Sequence, residues 1–186
     1  MAGWDFPTSL EVGGKSYEIR SDFRAILDVM DVLADPEIDD EERAFVALSI
    51  FYIGFDPTRA TRDENEEAIG KLKWFINGGN DKVGRNSDPR VMDWDQDFHL
   101  LVAPINHVLG YECRSVKHLH WWTFLAAYME IGECYFQQVV SIRMKKAQGK
   151  RLDKADEEFY RKHKADVDLK REMTDEEESI LKEWLM

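Results

Sequence analysis

One stretch of the chain, from about Val116 to Gln148, is apolar at nearly every helical position. Its large apolar side chains are Trp121, Trp122, Phe124, Leu125, Tyr128, Met129, Ile131, Tyr135, Phe136, Val139, Val140 and Ile142. A helix that offers water no wide polar face is buried on all sides. This pattern predicts one long central helix around which the other elements pack.

The composition changes abruptly where this stretch ends. From Arg143 onward the chain acquires a run of cations, so we expect the helix to leave the core and project from it. The sequence therefore predicts two regions. Residues 1–142 form a hairpin plus a helical core domain, and residues 143–186 form a charged helical arm and tail.

The formal net charge of the 186 residues, −12, is unevenly distributed. Residues 1–140 sum to −12, residues 141–171 to +5 and residues 172–186 to −5. Such alternating blocks are typical of partner-binding extensions, although a solvated surface helix explains the same pattern and stays open as an alternative. The candidate partner-binding residues are Arg143, Lys145, Lys146, Lys150 and Arg151 in the arm and Trp184 in the tail.

The N-terminal half predicts a mainly α fold that begins with a short β-hairpin. Apolar and polar residues alternate around Gly13-Gly14, which indicates two antiparallel strands joined by a tight turn. Capping residues and helical spacing then predict three helices, the first capped by Ser21 or Asp22, the second beginning near Asp39-Asp40 and the third at Thr61.

A loop rich in Gly and Asn is expected over residues 77–90, followed by a helix over 94–109 that is strained near Pro104. Beyond the central helix, residues 153–163 predict a mostly polar helix. Thr174 and Glu177 have the spacing of a capping box, so a short amphipathic tail helix should follow.

Motifs for catalysis and metal binding are incomplete. Residues 93–104 begin like a calcium loop but lack the Gly and Glu that such a loop needs. Cys113 and Cys134 are isolated, and His118 and His120 would point in different directions on a helix, which argues against structural zinc. There is no Gly-x-Ser-x-Gly nucleophile motif. We expect a protein that is not an enzyme and needs no cofactor.

The acidic balance argues against a nucleic-acid partner, because such proteins need a positive surface to displace counterions. Acidic residues also interrupt the basic arm. No run of about 18 apolar residues is present, so no membrane span is expected. With two cysteines and no signal-peptide pattern at residues 1–5, the expectation is a reduced, cytosolic protein.

The block His120-Trp121-Trp122-Thr123-Phe124 makes the sequence resemble a family of bacteriophage proteins. Asp95 and Asp97 before it, and residues 142–146 and 149–154 after it, belong to the same likeness. The resemblance extends from the Gly14-Lys15 hairpin to about Leu169 and is densest over residues 93–170. Proteins of this family are encoded in the tail-morphogenesis region of long-tailed phages and are usually regarded as tail assembly chaperones.

The resemblance implies a non-catalytic assembly factor that binds and solubilises the tape measure protein and helps recruit tail tube subunits. It implies a protein of the host bacterial cytoplasm that is absent from the mature virion, with homo-oligomerisation left open. The alternative is a structural virion protein, such as a component of the head–tail connector.

Overall fold

A computed structural model describes residues 5–80 and 89–169. The fold is mainly α with a short N-terminal hairpin, as predicted. Within these ranges, no helix is long and apolar enough to cross a membrane. The predicted tail helix after Thr174 lies outside the described residues, as do positions 81–88 of the predicted 77–90 loop.

The hairpin pairs β1 (Ser9–Val12) with β2 (Lys15–Glu18) in antiparallel register, with Val12 opposite Lys15. Gly13 and Gly14 form the two-residue turn, with φ of 57° and 73°. Positive φ at both central positions is the type I′ turn, whose twist matches that of the strands.

Eight helices follow in the described residues. They are α1 (Phe23–Ala34), α2 (Asp40–Phe51), α3 (Arg62–Ile76), α4 (Trp94–Leu109), α5 (Trp121–Met129), α6 (Tyr135–Ala147), α7 (Lys154–Lys162) and α8 (Lys164–Val167). The predicted starts are confirmed, because the side chains of Asp22, Asp39 and Thr61 accept hydrogen bonds from the first turns of α1, α2 and α3. Thr61 and Glu64 complete the predicted capping box. Helix α4 carries Pro104 inside it.

The prediction of one long central helix over about 116–148 is wrong. The structure instead has two helices, α5 and α6, separated by residues 130–134. Gly132 lies in this break with φ of 59°, a left-handed conformation that ends the helical path and that glycine adopts without strain. At the other end, α5 begins only at Trp121, because His120 has non-helical backbone angles and its side chain caps the helix.

The chain divides into two compact units. Unit 1 consists of Met1–Asp88 and Phe98–Cys134, and unit 2 consists of Pro89–Asp97 and Tyr135–Met186, each described within the ranges given above. The division at 134/135 differs from the boundary expected at 142/143, so α6 lies wholly in unit 2.

Unit 1 has an aromatic core. The ring of Phe23 stacks on Phe124 at 4.5 Å between centroids, and the ring of Phe51 lies 5.1 Å from that of Phe75. The phenol of Tyr52 is buried among them and donates a hydrogen bond to Ala68 O, and burial raises its pKa. The predicted apolar faces of α1, α2 and α3 supply most of these side chains.

In unit 2, residues 143–169 do not extend as a free arm. Helix α8 packs against both α6 and α7. The apolar residues Phe136, Val139, Ile142 and Val167 are buried. The cations that follow Ile142 therefore belong to a folded unit, in which each has its own contacts.

Candidate partner-binding surface

Arg143 is the most highly connected of the candidate residues. Its guanidinium holds Asp97 with two hydrogen bonds, from Nη1 at 2.6 Å and from Nη2 at 2.8 Å. The remaining N–H groups donate to the carbonyl oxygens of Val91, Asp166 and Val167. A guanidinium has five N–H donors, so every donor has an acceptor.

This arrangement corrects the sequence prediction for Arg143. The residue is only 5% exposed and Asp97 is fully buried, so the guanidinium has no face left for a partner. Asp97 also accepts a hydrogen bond from the Asp93 amide. Through these hydrogen bonds Arg143 joins three separate segments of unit 2, so it has a structural role in that unit.

Lys145 and Lys146 each form an ion pair within the same unit and are partly exposed to solvent. Lys145 pairs with Asp156 at 2.5 Å, and this hydrogen bond raises the pKa of Lys145. Lys146 pairs with Asp168 at 2.6 Å, and its ammonium lies 3.9 Å from the centre of the Tyr160 ring. Both side chains fasten α6 to later helices while keeping a little over a third of their surface in solvent.

Lys150 and Arg151 are exposed. They follow Gly149, which ends α6 with a Schellman motif: the Gly149 amide donates to Lys146 O and the Lys150 amide donates to Lys145 O. Asp153 then caps α7 by accepting from the amides of residues 155 and 156. Lys150 and Arg151, named here the basic turn, are thereby held on a fixed backbone between two helices.

Trp184, the sixth candidate, lies outside the described residues. The basic turn is therefore the part of the predicted partner surface that remains both exposed and described.

The His-Trp-Trp-Thr-Phe block of unit 1 connects helices α3 and α5 through hydrogen bonds. The indole N–H of Trp121 donates to Ile76 O and that of Trp122 donates to Phe75 O, both at 2.9 Å. Carbonyls in the last turn of a helix lack partners within it. The two tryptophans thus satisfy the C-terminal end of α3 and fix the start of α5 against it.

His120 completes this junction. Its Nδ1 accepts from the Trp122 amide at 3.1 Å, so the neutral ring carries its proton on Nε2 and donates it to Pro7 O at 3.2 Å. Phe6 stacks on the imidazole at 4.4 Å. Burial lowers the pKa of His120, because the charged form has lost its water.

The other residues weighed for zinc have separate contacts. His118 Nε2 shares a hydrogen bond with Ser21 Oγ, and Cys113 is buried with its pKa raised, chiefly by burial. Over residues 5–80 and 89–169, no group of three or more His, Cys, Asp or Glu side chains is arranged to hold a metal ion.

Unit 1 also contains an open groove of about 770 Å³ between α2 and α3. It is lined by Glu41, Ala44, Phe45, Leu48, Pro57, Thr58, Ala60, Arg62, Asn65, Glu66, Ile69, Gly70 and Lys73. The lining combines apolar residues with four charged ones, Glu41, Arg62, Glu66 and Lys73. Sequence analysis missed it, although one signal was present: α2 is apolar over more of its circumference than burial on one side requires.

Comparison with protein families matches residues 5–169 to the model described as Bacteriophage Gp15 protein. The chain belongs to the Bacteriophage Gp15 protein family. No curated protein and no solved structure matches it.

The match to the Gp15 family covers both the groove and the basic turn, since it spans all the described residues. Its C-terminal limit, residue 169, coincides with the limit of the resemblance seen in the sequence. The −5 segment of residues 172–186 lies beyond it.

Proposed function

We propose that this Gp15-family chain is a non-catalytic tail assembly chaperone, which binds and solubilises the phage tape measure protein and helps recruit tail tube subunits. The observation that carries the proposal is the family match over residues 5–169, which makes the chain a phage protein. The location that goes with this function is the host bacterial cytoplasm.

The physical argument concerns aggregation. A long, largely helical tape measure protein exposes apolar faces before the tail assembles around it, and such faces associate with one another. A protein with net charge −12 that covers them reversibly would keep them in solution. The basic turn would add a charged contact that favours one partner over others.

Co-expression of the full chain with the tape measure protein of the same phage tests the proposal. We expect the two to co-purify and the soluble yield of the tape measure protein to rise. Failure of both would remove the hypothesis. Mass spectrometry of purified virions separates the alternative, because a connector component would be present in stoichiometric amount and a chaperone absent.

Variants of the basic turn locate the contact. Lys150→Glu with Arg151→Glu should reduce co-purification while leaving the far-ultraviolet circular dichroism unchanged, because both side chains are exposed. The matched control is Lys15→Glu with Lys117→Glu, which changes the net charge equally at exposed positions of unit 1. Equal loss in both variants would mean that net charge, and not the basic turn, controls binding.

A further inference from the structure

We propose that the groove between α2 and α3 is a docking site for an amphipathic helix of a partner protein, with large apolar side chains on one face and Lys or Arg beside it. The inference rests on the proposed function in taking the partner to be an assembly component. It goes further in naming the site and the chemistry of the segment that fills it.

The residues of the groove determine the size of the side chains that it accepts. Its lining includes the small residues Ala44, Ala60 and Gly70, and the larger lining residues Phe45 and Ile69 are only half-buried. Small residues leave depressions that large side chains from a facing helix can enter. A complementary helix therefore presents Leu, Met or Phe, and not Ala or Gly.

Gly70 supports this interpretation independently. It lies inside α3, where glycine lowers helix stability relative to alanine. Among the described residues of unit 1, no atom lies within 4 Å of a Cβ built there, so packing inside the unit does not require glycine. The open backbone at this position instead leaves room in the groove for an incoming side chain.

The length of the groove suits a helix of about three turns. Its lining on α3 runs from Arg62 to Lys73, which corresponds to about 17 Å along the helix axis at about 1.5 Å per residue. This length corresponds to about three helical turns, enough for the anchors at i, i+3, i+4 and i+7 that a groove-binding helix uses.

Asn65 adds a polar requirement. Its Nδ2 donates to Pro57 O, while its Oδ1 is buried without a hydrogen bond in the described structure. Asn65 borders the groove. A small movement of the amide on docking would let a polar N–H or O–H of the incoming helix reach Oδ1, so that the partner's apolar face should include one such donor.

The charges near the groove favour Lys or Arg beside the apolar face of the partner helix. Helix α2 begins with Asp40, Glu41 and Glu42, and Glu41 lines the groove. On the α3 side, Arg62 and Glu66 pair with each other at 2.8 Å, and Lys73 balances Glu41 within the lining. The negative excess therefore lies beside the groove, in the acidic first turn of α2. The described part of unit 1 has a net charge of −10, which favours a basic helix and opposes the acidic segment 172–186 of the chain itself.

The test uses the full chain and a fluorescent peptide of about 14 residues, or roughly four helical turns. The peptide carries Leu at helical spacing with one Ser among them, and Lys beside the Leu face. One control peptide has the same composition with the Leu positions scrambled, and another has Glu in place of Lys. Fluorescence anisotropy should show that the first peptide binds about tenfold or more tightly than both controls.

Two pairs of variants assign that binding to the groove. Gly70→Met should weaken it about tenfold by placing a large side chain in the groove, whereas Gly70→Ala should change it less than about threefold. Glu41→Lys with Glu42→Lys should transfer the preference to the Glu-flanked peptide, whereas Asp28→Lys with Glu37→Lys, also exposed in unit 1, should not.

Several results would overturn the proposal. These are equal binding of all three peptides, photocrosslinks that map outside α2 and α3, or a change of oligomeric state in Gly70→Met, which would make a second copy the occupant. Tighter peptide binding in Leu181→Glu with Trp184→Glu would also overturn it, because the tail would then compete for the groove. Co-purification with the tape measure protein is a separate readout: if it occurs while the Leu–Lys peptide fails to bind, the groove proposal is lost and the chaperone proposal stands.

Discussion

Units 1 and 2 are stabilised in different ways. Buried side chains of unit 1 are largely apolar and aromatic, and its buried polar residues, Ser21 and His120, carry hydrogen bonds. Unit 2 buries the charged residues Asp97, Arg143 and Asp156. Its described part is also smaller and nearly neutral, at +1 against −10 for unit 1.

The difference shows how a small unit can be fixed without a large apolar core. Arg143 uses one side chain to join the segment 89–97, helix α6 and helix α8. A short chain buries too little apolar surface to do this by packing alone. Such a unit should be unusually sensitive to loss of a single charge, whereas unit 1 should be sensitive to loss of volume.

The sharpest test is Arg143→Met. It leaves the Asp97 carboxylate buried without its partner, which we expect to destabilise unit 2 by about 3–5 kcal/mol. Hydrogen exchange measured by mass spectrometry should show α6 and α8 losing protection while α1–α3 keep theirs. The double variant Arg143→Met with Asp97→Leu should recover much of the loss, and the comparison fails if the single variant exchanges like the wild type.

Trp121→Ala is the corresponding test of unit 1. It removes a side chain that is 1% exposed and the donor to Ile76 O, so urea unfolding should show a loss of about 3–5 kcal/mol. Phe6→Ala is the control, because Phe6 is 53% exposed and should matter far less. A near-zero effect of Trp121→Ala would make this residue a recognition side chain instead of a core residue.

Reversal of Lys145 and Lys146 to Glu should have a smaller effect on unit 2. Sequence reasoning places both lysines beyond the core and expects folding to be unaffected by their reversal. The ion pairs with Asp156 and Asp168 now predict a fall in the urea midpoint that is clearly smaller than that of Arg143→Met, because both lysines are partly exposed and solvent screens their charges. Urea unfolding measures it, and Lys150→Glu with Arg151→Glu is the control that should leave stability unchanged.

Gly70→Ala should raise the stability of unit 1 by about 0.5–1 kcal/mol. The methyl group meets no atom within 4 Å, and alanine favours the helix over glycine. Gly54→Ala is the contrasting variant: its Cβ also has open space, but its φ of 80° is strained for alanine, so its melting temperature should fall. A fall for Gly70→Ala would show that the space above Gly70 is already filled.

The pH dependence of unit 1 should include His120. Because burial lowers its folded pKa below the usual 6.5, the unfolded chain binds the proton first as pH falls. This residue's contribution to stability should therefore diminish below about pH 6.5 and level off below the folded pKa. His120→Asn keeps a helix-capping oxygen without titrating, so urea midpoints between pH 7 and pH 5 should fall less for the variant than for the wild type.

Local chemistry explains why much of unit 1 could be predicted. The caps at Asp22, Asp39 and Thr61, and the turn at Gly13-Gly14, depend on residues within four positions of one another. Their backbone geometry follows from side chains that are visible in a short window of sequence. The apolar stripes of the first three helices likewise identified most of the aromatic core.

The candidate surface was harder to predict because exposure is a tertiary property. Arg143 and Lys150 look alike at the end of an apolar run, yet one is buried and the other is exposed. The groove between α2 and α3 depends on how two helices lie beside each other. The His-Trp-Trp-Thr-Phe block carries the family resemblance, but both of its tryptophans bind the end of α3. The block therefore does not indicate where a partner binds.

The helical class, the hairpin and the starts of the first three helices could be predicted from residues close together in the chain, because they depend on local spacing and composition. The break of the long apolar stretch at Gly132, and the pairing of Arg143 with an aspartate 46 residues away, became visible only in the folded chain. A charged side chain at the end of an apolar run is equally compatible with solvent and with a buried counter-ion. The choice is made by the distant segment that supplies the carboxylate, and short-range patterns carry no information about that segment.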